Sequence, residues 1–260
     1  MKSTCRIQKN KFLSILFSIF ACAFFYSCGL DSVITVNEPY VTYNSPLYSS
    51  EDYLTWYFDF RTQENQDIES PNSFVGTEIY YKIYNNYSNL LSQRNAILSV
   101  NSASNGTSAA TKMIDTYSYQ PLGTKPVQST SVFIPNGGSN RRVVIRLKTY
   151  TGQENYSGDN KEQFVSCVKI ENVEQPYIPY RNGNSKSFDF FDDDDSDSSS
   201  SVDVEPEDGD ADFYYSSSAS ESDTYYVQMF AVSVAFSTDS LANTYSLVLD
   251  LGSVPIRKGE

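Results

Sequence analysis

Tyr53-Leu54-Thr55-Trp56-Tyr57-Phe58-Asp59-Phe60 (YLTWYFDF) alternates without a break. Leu54, Trp56, Phe58 and Phe60 fall on one face, and Tyr53, Thr55, Tyr57 and Asp59 on the other. A period of two over eight residues is the signature of a half-buried strand, because successive strand side chains point to opposite sides of a sheet. The same rhythm returns in Glu78–Tyr84 (EIYYKIY), with Ile79, Tyr81 and Ile83 on one side and Tyr80, Lys82 and Tyr84 on the other. It returns again in 224–236 (TYYVQMFAVSVAF) and 245–251 (YSLVLDL). Residues 130–150 read as a hairpin, SVFIP and RRVVIRLKTY joined at Asn136-Gly137-Gly138-Ser139-Asn140, with Val143, Ile145 and Leu147 inward and Arg142, Arg146 and Lys148 outward. Residues 163–170 (QFVSCVKI) and 113–119 read as further strands.

The composition agrees with a chain made of strands. Of 260 residues, 40% are hydrophobic, and 21 Tyr and 16 Phe supply the aromatic groups that suit a pleated surface. Residues 89–99 (NLLSQRNAILS) break the alternation. Leu90, Leu91, Ile97 and Leu98 recur at helical spacing, which predicts one short helix capped by Asn89. Residues 61–77 and 100–112 read as loops. The expected fold class is therefore mainly β, an antiparallel β-sandwich with one short helix.

No histidine is present, which excludes a Ser-His-Asp or Cys-His catalytic set and any His-ligated metal. The net charge of −13 argues against a nucleic-acid partner, since phosphate contacts need clustered Lys and Arg. Much of that charge sits in one place. Residues 187–223 hold 14 acids and no Lys or Arg, and are expected to be a disordered acidic, Ser-rich insertion. Asp192–Asp195 and Asp197 lack the glycine that an EF-hand loop needs, so no metal site is expected there.

The N-terminus reads as an address. Lys2, Arg6, Lys9 and Lys11 precede 15 uncharged residues, 12–26, too short to span a bilayer, which takes about 20. Ser27-Cys28-Gly29 follows. The stretch resembles a bacterial lipoprotein signal of the relaxed, spirochaete type, with Phe25 and Tyr26 in the positions before Ser27. The resemblance implies removal of residues 1–27, lipidation of Cys28 and anchoring in the cell envelope, in the outer membrane (surface or periplasmic face) or the inner membrane. Cys22, with Ile19 at −3 and Ala21 at −1, is the alternative. Two or more acyl chains would make the anchor lasting.

Three segments resemble a fibronectin type III domain, itself immunoglobulin-like. Trp56 in LTWYFDF is similar to that family's core tryptophan, GTEIYYKIY (76–84) to its third strand, and Tyr225-x-Val227-x-Met229-x-Ala231-Val232 to its tyrosine-corner strand. The implied organisation is a lipidated tether and first strand over 28–50, a β-sandwich body over 51–186, the insertion over 187–223, and strands over 224–260 that complete the body. The implied role is binding, adhesion or structure rather than catalysis, with no cofactor. Tyr53, Tyr57, Tyr80 and Tyr84 are the candidate ligand-binding residues, on solvent-facing sides of strands, and they make a carbohydrate-binding module the alternative. Asp59 and Glu78 are the only carboxylates on the two clearest strands, though nothing in their spacing sets the separation that glycoside hydrolysis requires. Cys167 has no histidine to activate it and is expected to be a small buried hydrophobe.

Overall fold

The computed structural model describes residues 35–41, 53–68, 70, 72–128, 130–149, 164–174, 176–181, 186–190, 205–219 and 223–257. Cys22, Cys28 and Asp192–Asp197 lie outside them. The body is mainly β, with antiparallel sheets and two helices. In chain order the elements are β1 (Phe58–Arg61), β2 (Asn72–Tyr84), α1 (Tyr87–Leu98), α2 (Thr107–Thr111) running into a wider π turn (Lys112–Thr116), β3 (Gln120–Pro121), β4 (Gly123–Lys125), β5 (Ile134–Pro135), β6 (Arg142–Arg146), β7 (Cys167–Ile170), β8 (Ile178–Tyr180), β9 (Phe213–Tyr214), β10 (Thr224–Ser237), β11 (Ala242–Tyr245) and β12 (Leu249–Arg257).

The centre of the molecule is the antiparallel pair β2–β10, in register from Tyr84 opposite Tyr226 to Asn72 opposite Ser237. On its far side β10 carries β12 and then β11. On its far side β2 carries β5, β3 and, in parallel, β9. A second sheet has the order β1-β6-β7, and β4 pairs with β8.

The alternation in β2 sorts its side chains between two cores. Ile79, Tyr81 and Ile83 join Val227, Met229, Leu251 and Ile256 of the large sheet with Trp56, Phe58, Phe60, Val143, Ile145 and Val168 of the small one. Tyr80 and Tyr84 join Phe230, Val232 and Val234 with Leu90, Ile97, Ala109, Ala110 and Met113 of the helices. The central strands are thus covered on both faces. At about 25 cal/mol per Å² of apolar surface, each of these layers contributes on the scale that folding requires.

Several sequence expectations are corrected here. Strand β1 starts at Phe58. Tyr53–Thr55 close a 3₁₀ turn instead, because the buried Arg146 guanidinium donates to the carbonyls of Tyr53 (2.8 Å) and Leu54 (3.0 Å) and turns them away from a sheet. Leu54 is exposed as a result, while Trp56, Phe58 and Phe60 point inward. Arg146 and Lys148 do leave the inner face, yet both are buried; Lys148 Nζ reaches the Arg257 carbonyl at 3.0 Å.

The expected 130–150 hairpin is split between sheets. Ile134 pairs with Thr77 of β2, whereas Arg142–Arg146 pairs with β1 and β7. The connecting turn is pinned at both ends: Asn136 N donates to the Val75 carbonyl, and Asn140 Oδ1 accepts from Glu64 N at 2.7 Å.

The supposed loop 61–77 already contains the first residues of β2, which bulge at Val75–Gly76 opposite Val234–Ala235. Gly76 has φ +155°, and a Cβ there would lie 2.2 Å from the Ile134 carbonyl oxygen, so only glycine lets β5 approach.

The helix begins two residues early, capped by Asn86, whose Oδ1 accepts from Ser88 N and Asn89 N. Residues 107–116 are helical rather than loop and strand, since Ala109, Ala110 and Met113 pack on the large sheet. The stretch 245–251 is broken at Ser246, which turns back to bond Ser233. Finally, the boundary at 187 cuts through the core: Phe188 and Phe190 are fully buried, and β9 lies within the acidic stretch. Of that insertion, residues 191–204 and 220–222 lie outside the described residues.

Candidate functional site

The far edge of β2 is paired in patches. β5 covers Gly76 and Thr77, β3 covers Tyr80 and Tyr81, and Glu78 falls in the gap between them. Residues 121–124, 127–128 and 130–133 line, with Glu78, an open cavity of about 160 Å³ beside that gap. Its lining includes Glu78, Leu122, Thr124, Gln128, Thr130 and Phe133, with the well-exposed Val127 at the rim.

Burial is the dominant influence on the Glu78 carboxyl and pushes its pKa up to about 7, against two backbone N–H donors, Phe133 and Ile79, that favour the charged form. No ion pair to Glu78 occurs among the described residues. Gln128 contributes an unmet donor: its Nε2 is buried without a hydrogen-bond partner, while its Oε1 lies 3.4 Å from the Thr130 hydroxyl. The hydroxyls of Thr124 and Thr130 donate to the carbonyls of Pro126 (3.1 Å) and Val132 (2.8 Å), which leaves their lone pairs as acceptors.

Elsewhere interior acids and bases form ion-paired sets. Arg181 is 1% exposed and its guanidinium donates to both oxygens of Asp212 (2.9 Å each) and to Asp210 (2.7 Å). Tyr81 Oη donates to Asp212 at 2.7 Å, and Lys186 Nζ to Asp210 at 2.8 Å. Burial lowers the Arg181 pKa, but the bonds to Asp212 and Asp210 outweigh it and hold the guanidinium charged. Asp210 is held below the usual carboxylate range: burial opposes this, but the bonds from Lys186, the Glu207 backbone and Arg181 prevail. Two further sets, Arg94 with Asp250 and Arg141 with Glu64, pin α1 to β12 and the 136–140 turn to the chain after β1.

Of the residues singled out in the sequence, Tyr53 and Tyr57 are half-buried in the segment before β1, with the Arg146 guanidinium 5.6 Å from the Tyr57 ring. Tyr80 and Tyr84 do not face solvent. The helical layer covers them, Tyr84 completely, and Tyr84 Oη bonds Gln93 (2.9 Å) and Tyr119 (3.0 Å). The four tyrosines therefore do not form one surface. Asp59 is bound by Arg142 on the small sheet and does not meet Glu78. Cys167 is buried, as expected of a small hydrophobe. Among the described residues the exposed aromatics are Tyr40, Tyr214 and Tyr215; the average composition of 187–223 conceals the last two, and the Phe213-Tyr214-Tyr215 triplet is their local signal. No known protein family, characterised protein or solved structure matches this chain.

Proposed function

We propose that this is a lipid-anchored envelope protein with a non-catalytic binding or structural role. The anchor rests on the leader: a basic start, an uncharged run over 12–26 and Cys28 directly after a small residue. The non-catalytic role rests on one observation. Buried acids and bases are tied into closed ion-pair sets, led by Arg181 with Asp212 and Asp210, and the buried cations Arg146 and Lys148 are held by backbone carbonyls that they cross-link. The single perturbed carboxyl in a cavity, Glu78, has around it amide, hydroxyl and apolar groups, with no second acid, base or nucleophile of matched pKa among the lining residues. That set suits holding a ligand.

The finer fold belongs to the same proposal. A sandwich is supported by the single core shared between the β1-β6-β7 sheet and the large sheet, with Trp56 and Tyr225 both in it. The helical layer behind β2–β10 is an addition to the fibronectin type III, immunoglobulin-like resemblance. The anchor is tested by expressing the chain in a lipoprotein-processing bacterium. The protein should enter the detergent phase and take up labelled fatty acid, and Cys28→Ala should lose both properties. Retention of both by Cys28→Ala would overturn the assignment of Cys28.

A further inference from the structure

We infer that the cavity at Glu78 binds a small polyhydroxylated ligand, of the size of one sugar ring, held between the Glu78 carboxyl and the Gln128 amide. The inference rests on the binding role proposed above and assigns it a place and a chemistry.

Three features select the ligand class. The cavity offers an acceptor without a cationic partner at Glu78, and its lining residue Gln128 keeps a buried Nε2 donor without a partner, which a turn of the side chain brings to a ligand. A hydroxyl group both donates and accepts, so neighbouring hydroxyls on one ring answer both needs. An ammonium ion could only donate and would leave Gln128 unmet; above pH 7, where Glu78 is ionised, an anion could only accept and would meet the Glu78 charge. The threonine hydroxyls at 124 and 130, already donating to backbone, add acceptors for further ligand hydroxyls.

Size is the second feature. About 160 Å³ is below the roughly 300–1,000 Å³ of sites for drug-sized molecules, so one ring fits and a chain of rings extends past the mouth. The third is the apolar part of the lining, Leu122 and Phe133 with Val127 at the rim, which suits the C–H face of a ring. The site exists because β2, paired with β10 on one edge, has no strand partner at Glu78 on the other, so it is built into the sheet edge.

The test uses the full chain in a zwitterionic detergent, because glycoside detergents would compete. Methyl glucoside, methyl galactoside and myo-inositol are the probes, with ethylammonium and acetate as controls, and saturation transfer from protein to ligand protons is the readout. At least one polyol should receive saturation and the controls should not. Glu78→Gln and Gln128→Leu should each weaken binding about ten-fold, the scale of one lost charge-assisted or buried hydrogen bond. Lys169→Ala, on the small sheet, should change nothing. Should either site variant fail to fold by its thermal midpoint, the other decides. Binding of none of the polyols, unchanged binding in the site variants, or transfer to ethylammonium in place of the polyols would overturn the inference. Failure here leaves detergent partitioning untouched, and loss of partitioning in Cys28→Ala leaves ligand binding untouched, so the two readings fail separately.

Discussion

Glu78 carries its charge at a cost that depends on pH. Its pKa is 4.5 in an unstructured chain and about 7 in the folded one, chiefly through burial. Between those values the folded state binds more protons than the unfolded state, so this residue's contribution to stability is complete below pH 4.5 and is lost as pH rises through 7. The loss is on the order of 3 kcal/mol before water at the open mouth screens it. Glu78→Gln should therefore be stabilising at pH 8 by about 1–3 kcal/mol and nearly neutral at pH 4.5. Urea unfolding at the two pH values measures this, and a difference independent of pH would contradict it.

Asp212 presents the opposite case, a carboxylate whose removal is costly. Asp212→Ala strips the buried Arg181 of two of its bonds and Tyr81 of its acceptor, and should destabilise by about 3–5 kcal/mol. Replacing Arg181 by Met in the same chain should recover part of that loss, since the orphaned charge is then gone.

Helix α1 owes its start to Asn86. Asn86→Ala should cost about 1 kcal/mol, whereas Asn89→Ala, one turn in, should cost less than about 0.5 kcal/mol. Thermal melts of the two variants separate the caps. The comparison also shows where the sequence is legible. Helical spacing placed α1 to within two residues, and alternation found β2 and β10, because those periodicities are properties of the chain itself. Period two also sorted Tyr80, Lys82 and Tyr84 correctly onto one face, but it carries no information about what covers that face. Coverage comes from α1 and α2, and α2 is too short to show a period. Likewise Arg146 lies on the expected side, and it is buried where the turn at Tyr53–Thr55 and the Tyr57 ring meet it. The cavity was illegible for the same reason: the gap in pairing at Glu78 arises from where β3 and β5, two residues each, happen to dock.

For the molecule as a whole, average composition conceals the part of the core that lies in 187–223. Fourteen acids over 187–223 outweigh Phe188, Phe190 and Phe213, yet those rings pack on Tyr81 and Tyr225, and Arg181 reaches across 31 residues to Asp212. A short buried motif inside a polar run contributes little to a window average and much to a core. Trp56, the chain's only tryptophan, reports on the core shared by the two sheets. Its emission should be blue-shifted in the folded protein and shift red in denaturant, and Trp56→Ala should cost about 3–5 kcal/mol. Emission already at the red, solvent-exposed position in the folded protein would contradict its place in that core.

The pairing of β2 with β10 joins residues between 142 and 165 positions apart in the chain. A polypeptide made from its N-terminus therefore exposes an apolar strand, unpaired on its long edge, until almost all of the chain exists. Such a topology makes folding slow, and it makes the nascent chain an aggregation risk that a holding chaperone would relieve. Early stops should be far more harmful than late ones. A chain ending before residue 224 keeps every residue of β1 through β9 and should still be recovered as insoluble or degraded material, while amide exchange in the complete protein should find β2 and β10 protected together, as one cooperative unit.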